Sequence, residues 1–172
     1  MNPHYILKKA AELTCQYYSE CSSEEKQFYD KYIKISLEQA EKICIDTQCQ
    51  DNDLWLKMRF GRITGSICYN LFTYAKNKNP DWNKKLKSVF NSSFEGTEDT
   101  VYGLMCEPEA RDCFERDNSE SEIVQIGILI NPLLPWLGYS ADGIVCTNKS
   151  IENKSLWECK ALKLGEKKVP QN

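Results

Sequence analysis

Apolar and polar positions follow a helical period in the first two thirds of the chain and a strand period after that. Residues 5–21 and 23–46 predict two helices. The second opens on a capping box between Ser22 and Glu25 and carries Phe28, Tyr32, Ile35, Ala40 and Ile43 at roughly helical spacing. The chain turns polar over 48–53, and a short helical turn is expected over 55–59. A further helix is expected over 67–74, with Ser66 near its start. Residues 76–96 are rich in Asn, Lys and Ser and contain Pro80, which leaves room for one short helix near 82–90 within loops. Residues 98–117 predict a helix with Pro108 as an irregularity.

The run 122–130 reads as a strand, and Pro132 and Pro135 mark a turn. Short strands are expected over 137–139, 143–146 and 155–160, the last two joined by a polar loop at 147–154. Helices first and a small sheet afterwards predict an α/β or α+β domain. There is no internal repeat.

The chain has 172 residues, of which 41% are hydrophobic and 11% aromatic, enough to bury one sizeable core. Its longest apolar region, 123–139, is broken by Gln125, Asn131, Pro132 and Pro135, so no spanning helix and no membrane partner is expected. The start, Met1-Asn2-Pro3-His4, lacks a charged segment followed by an apolar run. An intracellular, non-secreted setting is therefore expected. Nine cysteines with no Cys-x-x-Cys pair, and His4 as the one histidine, argue against a zinc site or a disulfide framework. In a reducing compartment the thiols are expected mostly as small buried hydrophobes, and His4 at the surface.

A net charge of −3 argues against nucleic-acid binding by bulk charge. The distribution says more. Residues 51–90 hold eight basic and three acidic side chains, residues 95–122 hold ten acidic and two basic, and 151–172 hold five Lys and three Glu. A basic block beside an acidic one suits a protein that grips phosphates on one surface and divalent cations on another. Two solvated faces of opposite sign account for the charge equally well.

Candidate chemistry centres on Asp142, Glu158 and Lys160. In a strand, Glu158 and Lys160 point to one face and Cys159 to the other. Pairing of 143–146 with 155–160 brings Asp142 and Glu158 together at one end of a hairpin. Two close carboxylates repel unless a cation or proton intervenes, and an all-oxygen donor set favours Mg²⁺ or Mn²⁺. A lysine on the same face helps position or deprotonate a water bound there, which is equipment for phosphodiester hydrolysis. Taken alone, the Asp-x15-Glu-x-Lys spacing is weak, because charged strand ends are common.

The surrounding words are more specific. Pro135-Trp-Leu-Gly-Tyr-Ser-Ala-Asp142-Gly-Ile-Val145, followed by Leu156-Trp-Glu158-Cys-Lys160, resembles the core of the YqaJ-like viral recombinase family. That family is lambda exonuclease-like and belongs to the PD-(D/E)XK nuclease superfamily. Upstream, Trp55-Leu-Lys-Met-Arg59-Phe-Gly-Arg62-Ile-Thr-Gly-Ser66 is similar to the family's Trp-x3-Arg-x3-Ile-Thr-(Ala/Gly)-Ser word. Gly103-Leu-Met-Cys-Glu107-Pro-Glu-Ala-Arg111 is similar to its Gly-x3-Glu-x-x-Ala-Arg word. The resemblance covers about residues 47–162, so residues 1–46 read as an N-terminal helical extension and 47–172 as the nuclease domain.

The resemblance implies a restriction-endonuclease-like α/β core with a small mixed central sheet. It implies Asp142 and Glu158 as the principal metal ligands, the backbone carbonyl of Cys159 completing the shell, and Glu107 supporting the metal or its water. It makes Lys160 the catalytic lysine, and Arg59 and Ser66 the holders of a DNA 5′-phosphate. The implied cofactor is Mg²⁺ or Mn²⁺, and the implied partner is DNA, in particular duplex ends. The implied activity is exonuclease-like hydrolysis in recombination or repair, in a protein derived from a virus or mobile element. A DNA substrate implies the nucleus or a viral factory as compartment, although no clear basic localisation run is present.

Each residue also has a plainer reading. Glu107 can pair with Arg111 four residues on, Arg59 with Asp53 or Asp51, and Ser66 can be only a helix N-cap. Trp55, Trp136 and Trp157 read better as core or wall residues than as base-stacking platforms. Two departures stand out. Ala141 replaces the proline usual before the motif aspartate, and Ala161-Leu162 replaces Cys-Pro. The family continues with a further helix bearing a Tyr-x-x-Gln-like word, whereas this chain stops at Val169-Pro-Gln-Asn172. The expectation is a C-terminally truncated copy: a fragment, a degenerate copy, a homo-oligomer or a chain completed by a partner. The alternative function is a catalytically inactive DNA-binding or protein-interaction remnant.

Overall fold

The helices start where the sequence supplies caps. In the computed structural model, which describes residues 3–50, 52–90, 97–147 and 154–161, α1 spans Pro3–Glu20 and α2 spans Ser23–Phe28. The Ser22/Glu25 capping box is formed in both directions, at 3.2 and 2.8 Å. The expected helix over 23–46 is not continuous. A π-helical turn, Tyr29–Ile33, ends where Lys34 turns extended (φ −63°, ψ 132°). A second capping box, Ser36 with Gln39, then starts α3 (Leu37–Asp46). Further on come α4 (Asp53–Arg59), α5 (Gly65–Tyr74), α6 (Trp82–Phe90) and α7 (Glu98–Asp117), the last carrying Pro108 inside it.

The expected α+β class is the observed one, with the helices preceding the strands. The strands form two antiparallel sheets in place of one mixed sheet: β1 (Ser121–Val124), β4 (Gly143–Thr147) and β5 (Lys154–Trp157) in the order β1-β4-β5, and β2 (Leu129–Asn131) with β3 (Leu134–Tyr139). Parallel pairing among the described residues is confined to one bridge, Ile63 with Leu137. Pro135 lies inside β3, and the turn is at 132–133.

The long strand expected over 122–130 is two strands, and the break has a local cause. Gly127 donates its N–H to the Cys44 carbonyl at 3.1 Å, and Ile128 donates to Thr47 Oγ1 at 3.0 Å. A Cβ at Gly127 would overlap Thr47 Oγ1 and the Cys44 carbonyl, so only glycine admits this approach. The backbone there is committed to α3 and cannot continue the ladder of β1.

The break coincides with a change of compact unit. One unit comprises Met1–Asn91 and Ile126–Ser140, the other Ser92–Gln125 and Ala141–Asn172. In the first, Ile33, Ala40, Leu71, Ile126, Ile128, Ile130 and Leu134 are buried. The second buries Ile123, Ala141 and Val145. The cysteines do not join these cores: Cys15, Cys49 and Cys68 are exposed, and the other six are half-buried free thiols. Branched aliphatic residues fill the few interior positions instead. Among the described residues, no helix is long and apolar enough to cross a membrane.

Candidate active site

The register of the β4–β5 hairpin sets the first half of the site. Gly143 pairs with Trp157, so one residue further along each chain Asp142 stands opposite Glu158. The strand ends there, short of the expected 160. With no partner in β4 beyond Gly143, the Cys159 N–H donates to Asp142 Oδ2 at 2.7 Å. Lys160 Nζ meets Glu158 Oε2 at 2.9 Å, so the two side chains do share a side. The ammonium is well exposed, and the hydrogen bond to Glu158 is the main reason its pKa is raised.

Helix α7 supplies Glu107. Arg111 Nη2 reaches Glu107 Oε1 at 3.2 Å, the pairing expected of residues four apart on a helix. Glu107 nonetheless carries a raised pKa. Burial is the largest cause, the charge of Asp142 comes next, Arg111 opposes both, and Glu158 adds a further rise. Three carboxylates, Glu107, Asp142 and Glu158, therefore sense one another within this unit. Burial, with the charges of Asp142 and Glu107, also raises the Cys159 thiol. Among the described residues, no three His, Cys, Asp or Glu side chains stand at metal-ligand spacing. Glu107 is drawn to Arg111, Glu158 to Lys160, and Asp142 to the Cys159 amide.

Arg111 was visible in the sequence only as a possible partner of Glu107, and the fold gives it more to do. With the Gln125 amide oxygen turned inward, it accepts from both Arg111 Nη atoms at 2.9 and 3.0 Å. The guanidinium also lies 5.9 Å from the Trp157 ring centroid. Arg111 thus links the Glu107 helix to the strand that leads into Glu158. Trp157 is half-buried and serves as a wall.

Arg59 and Ser66 belong to the other unit, and the structure brings them together. Arg59 ends α4, and its Nη2 donates to Ser66 Oγ at 3.0 Å. The guanidinium lies 4.1 Å from the Trp55 ring centroid, and burial lowers its pKa. Trp55 Nε1 is anchored on Ser140 Oγ at 3.0 Å, and Trp136 Nε1 on Thr14 Oγ1 at 3.0 Å, so both indoles are wall residues. Among the described residues no carboxylate pairs with Arg59, and Asp51 lies outside them. Ser66 is not the N-cap of α5. That position is Thr64, whose side chain makes no cap bond and instead meets Ser66 Oγ at 3.0 Å.

Arg62 is the residue the sequence misplaces. Counted with the basic block, it is in fact 1% exposed and holds the unit together. Its guanidinium donates to four carbonyls: Pro135 at 2.9 Å, Met58 at 2.8 Å, Ile33 at 2.9 Å and Tyr32 at 3.3 Å. Burial lowers its pKa. The carbonyls at the ends of the π turn and of α4 carry the negative end of the helix dipole, which suits a buried cation.

No curated protein matches the chain. A family model described as a YqaJ-like viral recombinase domain matches residues 54–170, which include every candidate site residue named above.

Proposed function

This chain belongs to the YqaJ-like viral recombinase domain family, and from that premise we propose that it is a recombination nuclease domain that hydrolyses DNA from its ends with the help of Mg²⁺ or Mn²⁺. The donor set fits such a cation by its chemistry. It is all oxygen, and the mutual repulsion that helps raise Glu107 is what a hard cation relieves. Asp142 and Glu158 would hold it, the Cys159 carbonyl would complete the set, and Glu107 would support it. A divalent cation bound there supplies Lewis acidity toward the phosphoryl oxygens and lowers the pKa of water.

The chain's own residues do the rest. The Cys159 N–H fixes one Asp142 oxygen and leaves the other for a ligand. Lys160, donating to Glu158, contributes a positive charge beside the phosphoryl group as negative charge grows on it. Arg59 and Ser66 offer a guanidinium fork and a hydroxyl to a terminal 5′-phosphate, with the Trp55 ring holding the fork in place.

The observation that carries this reading is the hairpin register that sets Asp142 opposite Glu158. The test is digestion of 5′-phosphorylated linear duplex DNA with and without Mg²⁺. The wild type digests it only with metal, and Glu158→Ala with Lys160→Ala abolishes digestion; activity surviving in that double variant dismisses the assignment. A second reading, DNA binding without hydrolysis, is favoured by the two ion pairs that already neutralise Glu107 and Glu158. It predicts salt-sensitive binding with no cleavage at any Mg²⁺ concentration.

A further inference from the structure

Two large aromatic side chains stand in solvent on α5, and the site described above does not use them. Tyr69 keeps 76% and Phe72 60% of its surface exposed, while Leu71 between them is buried. Three-residue spacing places them on neighbouring positions of one outer strip, which begins near Ser66 and runs past the helix end to Lys76. Lys76 Nζ lies 4.3 Å from the Phe72 ring centroid, so an ammonium borders the ring.

Helix α6 packs on another face of α5, the one that carries Asn70 and Tyr74. Trp82 packs edge-on against Tyr74 at 5.4 Å, and Lys85 lies 5.0 Å from the Tyr74 centroid while hydrogen-bonding Asn70 Oδ1. Lys84 and Lys87 on α6 are exposed. Between residues 65 and 90 the one acidic side chain is Asp81. Its Oδ1 accepts the Lys84 N–H at 3.0 Å. In a chain of net charge −3, residues 65–90 are a locally basic stretch that carries the exposed rings.

Three kinds of partner can be weighed against that chemistry. A blunt duplex offers phosphates but hides its base faces. An apolar protein surface would cover the rings but would have to desolvate the lysines, which interfaces avoid. An unpaired strand offers both a flat π face for each ring and a phosphate for each ammonium.

We propose that the exposed strip of α5 binds single-stranded DNA, with bases stacked on Tyr69 and Phe72 and a phosphate at Lys76. The strand leads away from the terminal phosphate at Arg59 and Ser66, so the inference rests on that phosphate seat for its starting point. It narrows the substrate to a DNA end with an unpaired strand.

The test is fluorescence anisotropy of a short 5′-phosphorylated oligo(dT) in EDTA, where no hydrolysis intervenes. Tyr69→Ala and Phe72→Ala each weaken binding about tenfold, while Tyr69→Phe binds as the wild type does. Lys76→Gln lowers the slope of log affinity against log salt by about 1. Blunt duplex binds the aromatic variants and the wild type alike. Since both rings are exposed, circular dichroism should be unchanged. Tyr69→Leu and Phe72→Leu, which keep apolar bulk without the ring, must weaken oligo(dT) binding as well.

Wild-type affinity for oligo(dT) in the double alanine variant overturns the proposal. So does sedimentation showing that the same variant abolishes self-association and leaves oligo(dT) binding intact, because the surface then serves a second copy. Binding as described without any Mg²⁺-dependent digestion defeats the hydrolytic reading and leaves this surface standing. Digestion that depends on Lys160, with aromatic variants binding normally, does the reverse.

Discussion

The Cys159 N–H donates to Asp142 Oδ2 at 2.7 Å, just beyond Gly143–Trp157, the last rung of the β4–β5 ladder. A carboxylate thereby replaces a missing strand partner, and folding and chemistry meet in one side chain. Asp142→Asn keeps an acceptor for that amide and loses the charge. It is expected to stay within about 1 kcal/mol of wild-type stability while losing Mg²⁺-dependent digestion. Asp142→Ala should lose digestion and also about 1–2 kcal/mol, because the Cys159 N–H is left without its acceptor. Thermal melts and a digestion assay on the two variants separate these contributions, and cleavage retained in Asp142→Asn would remove Asp142 from the ligand set.

Arg62 makes the contrasting prediction, a large structural effect with no part in the proposed chemistry. Arg62→Leu leaves four carbonyls without their donor and should cost about 3 kcal/mol or more. Arg62→Lys should recover little, since one ammonium cannot reproduce a planar fork aimed at separate backbone segments. Denaturant unfolding of both variants checks this. A loss below about 1 kcal/mol in Arg62→Leu would mean that water satisfies those carbonyls.

What could be read from the sequence was the local part. The capping box at Ser22, the helix carrying Glu107 and the hairpin before Glu158 follow from short-range spacing, and all three are present. The break before α3 was also written locally, since Ser36-Leu-Glu-Gln39 has the same capping spacing as Ser22 to Glu25, but the helical run across it masked the stop. Arg62 and Gly127 were hidden for another reason. Arg62 is defined by carbonyls as far away as Pro135, and Gly127 by Cys44 and Thr47. Nothing within a few residues of either position signals burial, and a lone arginine beside other basic residues reads as surface. The Arg59–Ser66 contact lies between these cases, because a quoted word named both residues but only the turn between α4 and α5 brings guanidinium and hydroxyl to 3.0 Å.

Gly143 follows Asp142 and lies hard against the neighbouring strand. A Cβ built there would stand 2.5 Å from Ile123 Cγ2 and 3.3 Å from the Val124 carbonyl oxygen. Gly143→Ala is therefore expected to destabilise the protein by about 1–3 kcal/mol through overpacking. Ile123→Ala removes the crowding Cγ2, so the double variant should lose less than the sum of the two single losses. A double-mutant cycle reads the coupling, and strict additivity would show that the strand simply shifts.

The capping box before α2 gives a pH dependence. The Ser22 N–H is the main reason the Glu25 carboxyl lies below its ordinary pKa, and the Ser22 side chain contributes further. A depressed folded value means the support is complete above the unfolded pKa of about 4.3. It is lost as pH falls through the folded value. In a carboxyl NMR titration, Glu25 should titrate below the other exposed glutamates. Ser22→Ala should move it only part of the way back, since the backbone donor remains. An ordinary midpoint for Glu25 in the wild type would show that the box is open in solution.

The Arg59–Ser66 pair predicts discrimination between kinds of DNA end. A guanidinium hydrogen-bonded to a serine hydroxyl at 3.0 Å and stacked on Trp55 is set to exchange that hydroxyl for phosphate oxygens. Arg59→Lys keeps the charge and loses the fork, so digestion of 5′-phosphorylated duplex should fall about tenfold to a hundredfold. Digestion of a 5′-hydroxyl duplex should hardly change, because that end never used the fork. Ser66→Ala removes one neutral donor and should cost about fivefold on the phosphorylated end alone. Parallel digestion of the two substrates by each variant gives the ratio that matters. Equal losses on both ends would make Arg59 a structural residue of the α4–α5 turn and leave end recognition to other groups.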